Sequence, residues 1–472
     1  MEYASCTNQG DGIRSPCRKL AAPEITWAGL SPQSQKAILS SPDDRMSNTS
    51  RRKDVCLLIQ RCQIRLAPTL FAVEQSPPPR RFFAPVPLLN PMSLAILVCL
   101  FLVFYALIGY PLLIALLARL FPRPWQTSAS TATDFSLTIV VCVRDAASLI
   151  IARIENLLAC QWRGPLEILI YCDGCSEATL SLLREHPFPG LRIIESPHSC
   201  GKTTGLNSAI PLASHPIVVL CDVRQSFASD ALLHLTAPFA NPSVAAVSGL
   251  LDIAPSDTGS GRGVDLYWRM ETLLREWEGQ FDSVIGCTGA ICAIRRDLYT
   301  PLPEDTLLDD VVIPMRLAVA GGRVLYEPNA RAFDPQTLDP EVEKRRKRRT
   351  LVGNFQMLER HPSWILPWKN RLWWQLISHK YLRLLVPWLL IAVVFMTALA
   401  PKTPLILFLV AGQVVAYTCA LAGWMFPRIR SRALTVPAGF VLLQISCLAA
   451  FFAYLKHRKN YLALWQQPTP SA

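Results

Sequence analysis

Residues 93–118 contain no charged side chain, and the run stops at Arg119. A helix needs about 20 consecutive apolar residues to cross a bilayer, so this stretch is long enough to span one. Three more apolar stretches, 381–399, 404–425 and 434–455, lie near the C-terminus. A chain with these segments is expected to be a membrane protein, and its 51% hydrophobic content agrees. The formal charge of +12 does not point to nucleic acid, because the basic residues gather beside apolar segments. Arg119 and Arg123 after the first span place its C-terminal end in the cytoplasm by the positive-inside rule. The expected location is a cell inner membrane, with the region between spans one and two cytoplasmic.

Residues 1–91 mix Ser, Pro, Arg and Asn without a period of 2 or 3.6 and are expected to be disordered. No charged n-region leads directly into an apolar h-region there, so no signal peptide is expected. Met92 directly precedes the first span, which makes it an alternative start. The 15 cysteines are scattered as small buried hydrophobes of a reducing compartment. Cys172 and Cys175 form the one C-x-x-C, without the second pair that a structural zinc site requires.

Residues 134–335 alternate strand-like and helix-like runs: LTIVVCV, LEILIYC, LRIIE and PIVVLC, each followed by a helical pattern. That alternation predicts an α/β domain with a mostly parallel sheet covered on both faces. Ligands bind beyond the carboxyl ends of such strands. Three of the runs lead into carboxylates there, Asp145, Asp173 and Asp222. Each is either a ligand contact or a residue that starts a turn or caps a helix. One chemical reading is a P-loop ATPase, since SPHSCGKTT follows LRIIE. Ser196 stands where that motif needs its first glycine, which weakens the phosphate cradle.

A second reading uses more of the chain. Taken in order, RDAASLIIARIENLL, CDGCSEAT, GKTTGLN, CDVRQ, GCTGA, LLDD and the basic run before GNFQ resemble the membrane-embedded family 2 glycosyltransferases. That family includes the synthases of cellulose, hyaluronan and poly-N-acetylglucosamine. The resemblance implies a GT-A, Rossmann-like domain at 134–335, basic and interfacial helices at 336–380, and a tail at 456–472. It also implies an inverting transfer from a nucleotide sugar, expected to be a UDP-sugar, to a growing polysaccharide or a lipid. Membrane lipids and accessory synthase subunits are the implied partners, with no nucleic acid.

Residue by residue, the resemblance assigns Asp173 to the uracil and ribose, Lys202 to the nucleotide, and Asp145 to a nucleotide contact where the family often has N-E. Asp222 falls on the first carboxylate of D-x-D, implying Mg²⁺ or Mn²⁺, but Arg224 replaces the second. A metal can be held by one carboxylate with substrate phosphates, or Arg224 can itself pair with phosphate as a bidentate donor. Asp310, with Asp309 beside it, takes the place of the catalytic base, and the pair can also be read as a helix N-terminal charge pair. Arg346 and Arg349 occupy the frame of the family's Q-x-x-R-W, with Arg346 for Gln and Thr350 for Trp. The same run serves as a positive-inside flank. A catalytically inactive partner subunit of a synthase is a further alternative. Three spans after a cytoplasmic domain would put Lys456–Lys459 outside, against the positive-inside rule.

Overall fold

The computed structural model describes residues 90–124, 135–253, 261–334, 340–426, 429 and 431–464. The expectation of disorder before the first span falls on residues 1–89, outside the described residues. Pro91–Leu120 (α1) is the first apolar helix; it starts with Asn90 capping the Met92 amide and a proline in the first turn. A single turn of wider, π-type winding at Tyr105–Gly109 interrupts it just before Pro111.

The strand-like runs become Leu137–Val143 (β1), Leu166–Asp173 (β2), Leu191–Ser196 (β3) and Ile217–Cys221 (β4). They pair in the order β3-β2-β1-β4, all parallel. Ser226–Phe227 (β5), Val244–Ile253 (β6), Cys292–Arg295 (β7) and Arg323–Asp334 (β8) extend the sheet to eight strands in the order β3-β2-β1-β4-β7-β6-β8-β5. Only β7 and β5 run against the rest. The mostly parallel α/β sheet expected from sequence is thus observed.

Helices cover both faces, which is why the strands read as continuous apolar runs. On one face Ile139, Val141, Ile168 and Val219 pack with Ile150–Leu158 (α2), Glu177–Glu185 (α3) and Ala231–Thr236 (α5). On the other, Val140, Leu169, Val218 and Leu220 pack with Lys202–Leu212 (α4) and Asp309–Val319 (α7). Gly205 lets α4 come close: a Cβ there would lie 2.7 Å from the Tyr171 ring. Burying each of these Val, Leu and Ile side chains contributes about 1.5–3 kcal/mol.

Gly261–Phe281 (α6) links the sheet to the membrane helices. Its Glu278 accepts from Tyr110 of α1 at 2.5 Å and meets His379 at 2.8 Å, and its Glu271 meets the other His379 nitrogen at 3.1 Å and Lys380 at 3.0 Å. His379 and Lys380 sit in Trp373–Leu399 (α9), preceded by Pro340–Arg360 (α8). The helix that carries the expected span 381–399 begins at Trp373. Its polar first turns are tolerated because their charges are satisfied by α6.

Pro404–Met425 (α10) and Arg432–His457 (α11) are the other two of four apolar helices long enough to cross a membrane among the described residues. The end of α11 returns to the domain. Arg458 pairs with Glu359 of α8 at 2.6 Å, and the Tyr454 and Tyr461 hydroxyls donate to the same carboxylate. Leu307, Val352, Ala450, Ala453 and Tyr461 form a small apolar core beneath them.

Candidate active site

Asp222 follows β4 at the carboxyl edge of the sheet, where a cluster of charge converges. Lys202, the first residue of α4, reaches Asp222 Oδ1 at 2.9 Å and Asp309 Oδ2 at 3.4 Å. Asp309 and Asp310 are the first two residues of α7, where the helix dipole favours negative charge. The Cys287 amide donates to the Asp310 carbonyl at 2.8 Å, which ties GCTGA to the head of α7. Lys202, Cys287, Gly289, Cys292, Asp309 and Asp310 line a cleft here. Gly289 borders it: a methyl there would touch Asp310 Oδ2 at 3.5 Å and Lys202 Nζ at 3.8 Å.

The charges tune one another. Burial, then the neighbouring Asp309, raises the Asp310 carboxyl to about 6 against the pull of Lys202, Arg275 and Arg349. Burial also works to raise Asp222, but Lys202, Arg346 and Arg224 outweigh it and hold that carboxyl below its ordinary value. Burial opposes the Lys202 charge, yet Asp222 and Asp309 more than compensate, so the ammonium persists well above its ordinary range. Burial lowers Arg349, with Asp309, Asp310 and Asp222 opposing that shift. Arg346 and Arg349, both on α8, are thereby brought into electrostatic range of the cluster.

Two expected residues take other partners. Both Asp173 oxygens accept from the loop before α4: the Cys200 amide at 2.6 Å, the Gly201 amide at 3.0 Å and the Ser199 hydroxyl at 3.0 Å. Asp173 thus clasps the loop that aims Lys202, and Gly201, at φ 95°, makes the turn into the helix. The same bonds correct the P-loop alternative, since these amides face a carboxylate rather than an open phosphate cradle. Arg224 also has a distant partner. Its guanidinium pairs with Asp334 at 2.5 Å, and Gln225 donates to the same oxygen, so Arg224 ties β4 to the end of β8. Asp145 is exposed, with φ 48°, and accepts from the Ser176 amide at 2.7 Å ahead of α3. Among the described hydrogen bonds, none joins it to the Lys202 cluster.

Arg275 of α6 was not singled out by sequence. It donates to Thr288 Oγ1 at 2.6 Å, and Thr288 in turn donates to the Gly249 carbonyl at 3.0 Å, which fixes the GCTGA turn beside Asp310. Its only sequence signal was membership of an amphipathic helix, which a solvated arginine shares.

Neither Asp222 nor its surroundings suits a divalent ion as arranged. The D-x-D chelate is reduced to one carboxylate, and an ammonium already lies between that carboxylate and Asp309. No group of three His, Cys, Asp or Glu side chains placed to hold a metal occurs among the described residues.

A mostly parallel sheet with a nucleotide-type cleft at its carboxyl edge defines the GT-A, Rossmann-like class. The fold is similar to the mannosyltransferase PcManGT from Pyrobaculum calidifontis in complex with GDP-Man and Mn²⁺, with TM-score 0.58 and 23% identity over 76% of this chain and 99% of that one. Residues 135–353 match the family described as Glycosyltransferase like family 2. An N-acetylglucosaminyltransferase of Rhizobium meliloti is 25% identical over 46% of this chain and 55% of its own length. A beta-monoglucosyldiacylglycerol synthase of Trichormus variabilis is 26% identical over 42% of this chain and 44% of its own. The chain spans about half the length of the curated relatives it matches.

Proposed function

We propose that this chain is an inverting glycosyltransferase that moves a hexosyl or N-acetylhexosaminyl group from a nucleotide sugar, a UDP-sugar, to a polysaccharide or lipid acceptor at the membrane face. The observation that carries this reading is the cleft lined by Lys202, Asp309 and Asp310, with Asp222 bound to Lys202 and the α8 arginines acting electrostatically on these carboxylates. Asp310, ionised above about pH 6, is suited to take the acceptor proton. The acceptor oxygen bonds to the anomeric carbon as the carbon–oxygen bond to the diphosphate breaks, and the electron pair leaves with the diphosphate. Lys202, Arg346 and Arg349 are placed to stabilise that growing charge. One displacement inverts the carbon. The names of the relatives support glucosyl and N-acetylglucosaminyl donors and, in one case, a diacylglycerol-based acceptor.

The basic end of α11 docks on α8, so it shares a side with the catalytic domain. A chain that leaves a membrane face and returns to it crosses an even number of times. One of α9, α10 and α11 therefore does not cross fully, and Lys456–Lys459 then lie on the cytoplasmic side with the domain.

The test is incubation of membranes holding the full chain with a panel of radiolabelled nucleotide sugars, alongside Asp310→Asn. Transfer from one donor, lost in the variant, is expected. Nucleotide binding without transfer from any donor would replace the enzyme reading with that of an inactive partner subunit.

A further inference from the structure

We propose that the donor site of this chain is built without a divalent ion: the Lys202 ammonium, clamped between Asp222 and Asp309, is the resident cation that a nucleoside diphosphate meets. The inference rests on the donor-site reading above and concerns what neutralises the diphosphate.

Three independent features meet at this point. The second D-x-D position is Arg224, whose Nη2 donates to Asp334, so this substitution puts a cation where the motif has a metal ligand. Lys202 Nζ holds Asp222 Oδ1 at 2.9 Å and draws Asp309 Oδ2 to 3.4 Å, so a cation already stands between the two carboxylates. Positive charge is supplied by side chains: Lys202 contacts Asp222 and Asp309, and Arg275, Arg346 and Arg349 act electrostatically on the carboxylates of the cluster. Four cations against three carboxylates leave a positive surplus for an incoming diphosphate. Metal entry would have to displace an ammonium that is mostly shielded from water, its side chain 21% exposed. An ammonium carries its charge as a point on a flexible stem, so it can turn from the carboxylates toward a phosphate oxygen without leaving the site.

The arrangement also assigns Asp222 a role other than chelation. It holds Lys202 charged in a desolvated cleft, where an unpaired ammonium would give up its proton. Asp222 is thus a positioning residue for the cation, as Asp173 is for the loop before it.

The experiment uses the purified full chain in detergent and two probes, UDP and GDP, titrated calorimetrically in EDTA and again in Mn²⁺. Expected is binding of at least one of them in EDTA, with Kd changed by less than about threefold on adding Mn²⁺. Manganese electron paramagnetic resonance should show no ion retained by the wild-type protein, with or without the nucleotide. Lys202→Met should weaken nucleotide binding in EDTA by about tenfold or more, and Mn²⁺ should restore part of it through the freed Asp222 and Asp309. Binding that is abolished by EDTA in the wild type, or manganese held at the site, overturns the proposal and leaves the glycosyltransferase reading standing. If neither nucleotide binds in either condition, the donor-site reading itself fails and this inference with it. The wild-type measurements decide the matter even if Lys202→Met does not fold.

Discussion

Asp310→Asn separates what the cleft contributes to chemistry from what it costs the fold. The Asp310 carboxyl is raised from 3.8 to about 6, so its ionised form is disfavoured in the native state by about 3 kcal/mol relative to the unfolded chain. The sign follows from the raised value. The folded state binds the proton more tightly than the unfolded one, so this group lowers stability in full above about pH 6, and its effect fades as pH falls through 6 toward 3.8. A neutral asparagine has no such dependence. The variant is expected to be more stable than the wild type by roughly 2–3 kcal/mol at pH 7.5, with the gap closing by about pH 4. Transfer should meanwhile fall by about 10²–10⁴-fold, the usual worth of a general base. Thermal unfolding of both proteins in one detergent across pH 4–8 reads the first effect, and initial rates read the second. A variant no more stable at pH 7.5, or a gap that persists unchanged at pH 4, would refute the electrostatic account of this carboxyl.

Other perturbations test separate contacts. The kcat/KM profile should rise with pH through about 6, and Asp309→Asn should move that limb to lower pH, since Asp309 is one of the causes that raise Asp310; a limb that stays in place would deny the coupling. Asp334→Ala, which strands the Arg224 guanidinium, should destabilise by about 3–5 kcal/mol, and Arg224→Met combined with it should recover much of that loss in a denaturation cycle. A C-terminal green fluorescent protein fusion should fluoresce and a phosphatase fusion stay inactive, because the end of α11 lies against α8; the reverse pattern contradicts the docked tail.

The fold was legible where local pattern and tertiary role coincide. PIVVLC could only be a short buried strand, and the carboxylate after it had to stand at the sheet edge. Asp309 and Asp310 were legible for the same reason, as an acidic pair opening a helix after a glycine-rich turn. What stayed hidden depended on partners far away in the chain. Arg224 read as a phosphate ligand because nothing nearby signals Asp334, 110 residues on, which pairs with it only once β5 and β8 are neighbours. Arg275 was hidden because a helix with charge on two faces looks alike whether one face meets water or a catalytic turn. The contact of the α11 end with α8 was hidden because hydropathy reports length and not where a helix end docks.

Helix α6 holds His379 and Lys380 through Glu271 and Glu278, while Arg275, between those two glutamates in sequence, holds Thr288. One rod is therefore fastened at once to the bilayer helices and to the wall of the cleft. A domain cut free of its spans would keep its sheet and its carboxylates but lose the fastening that sets the depth and tilt of that wall. The apolar helices are in this sense part of the frame of the cleft, and truncating them would be expected to yield a folded domain with a loosened cleft wall.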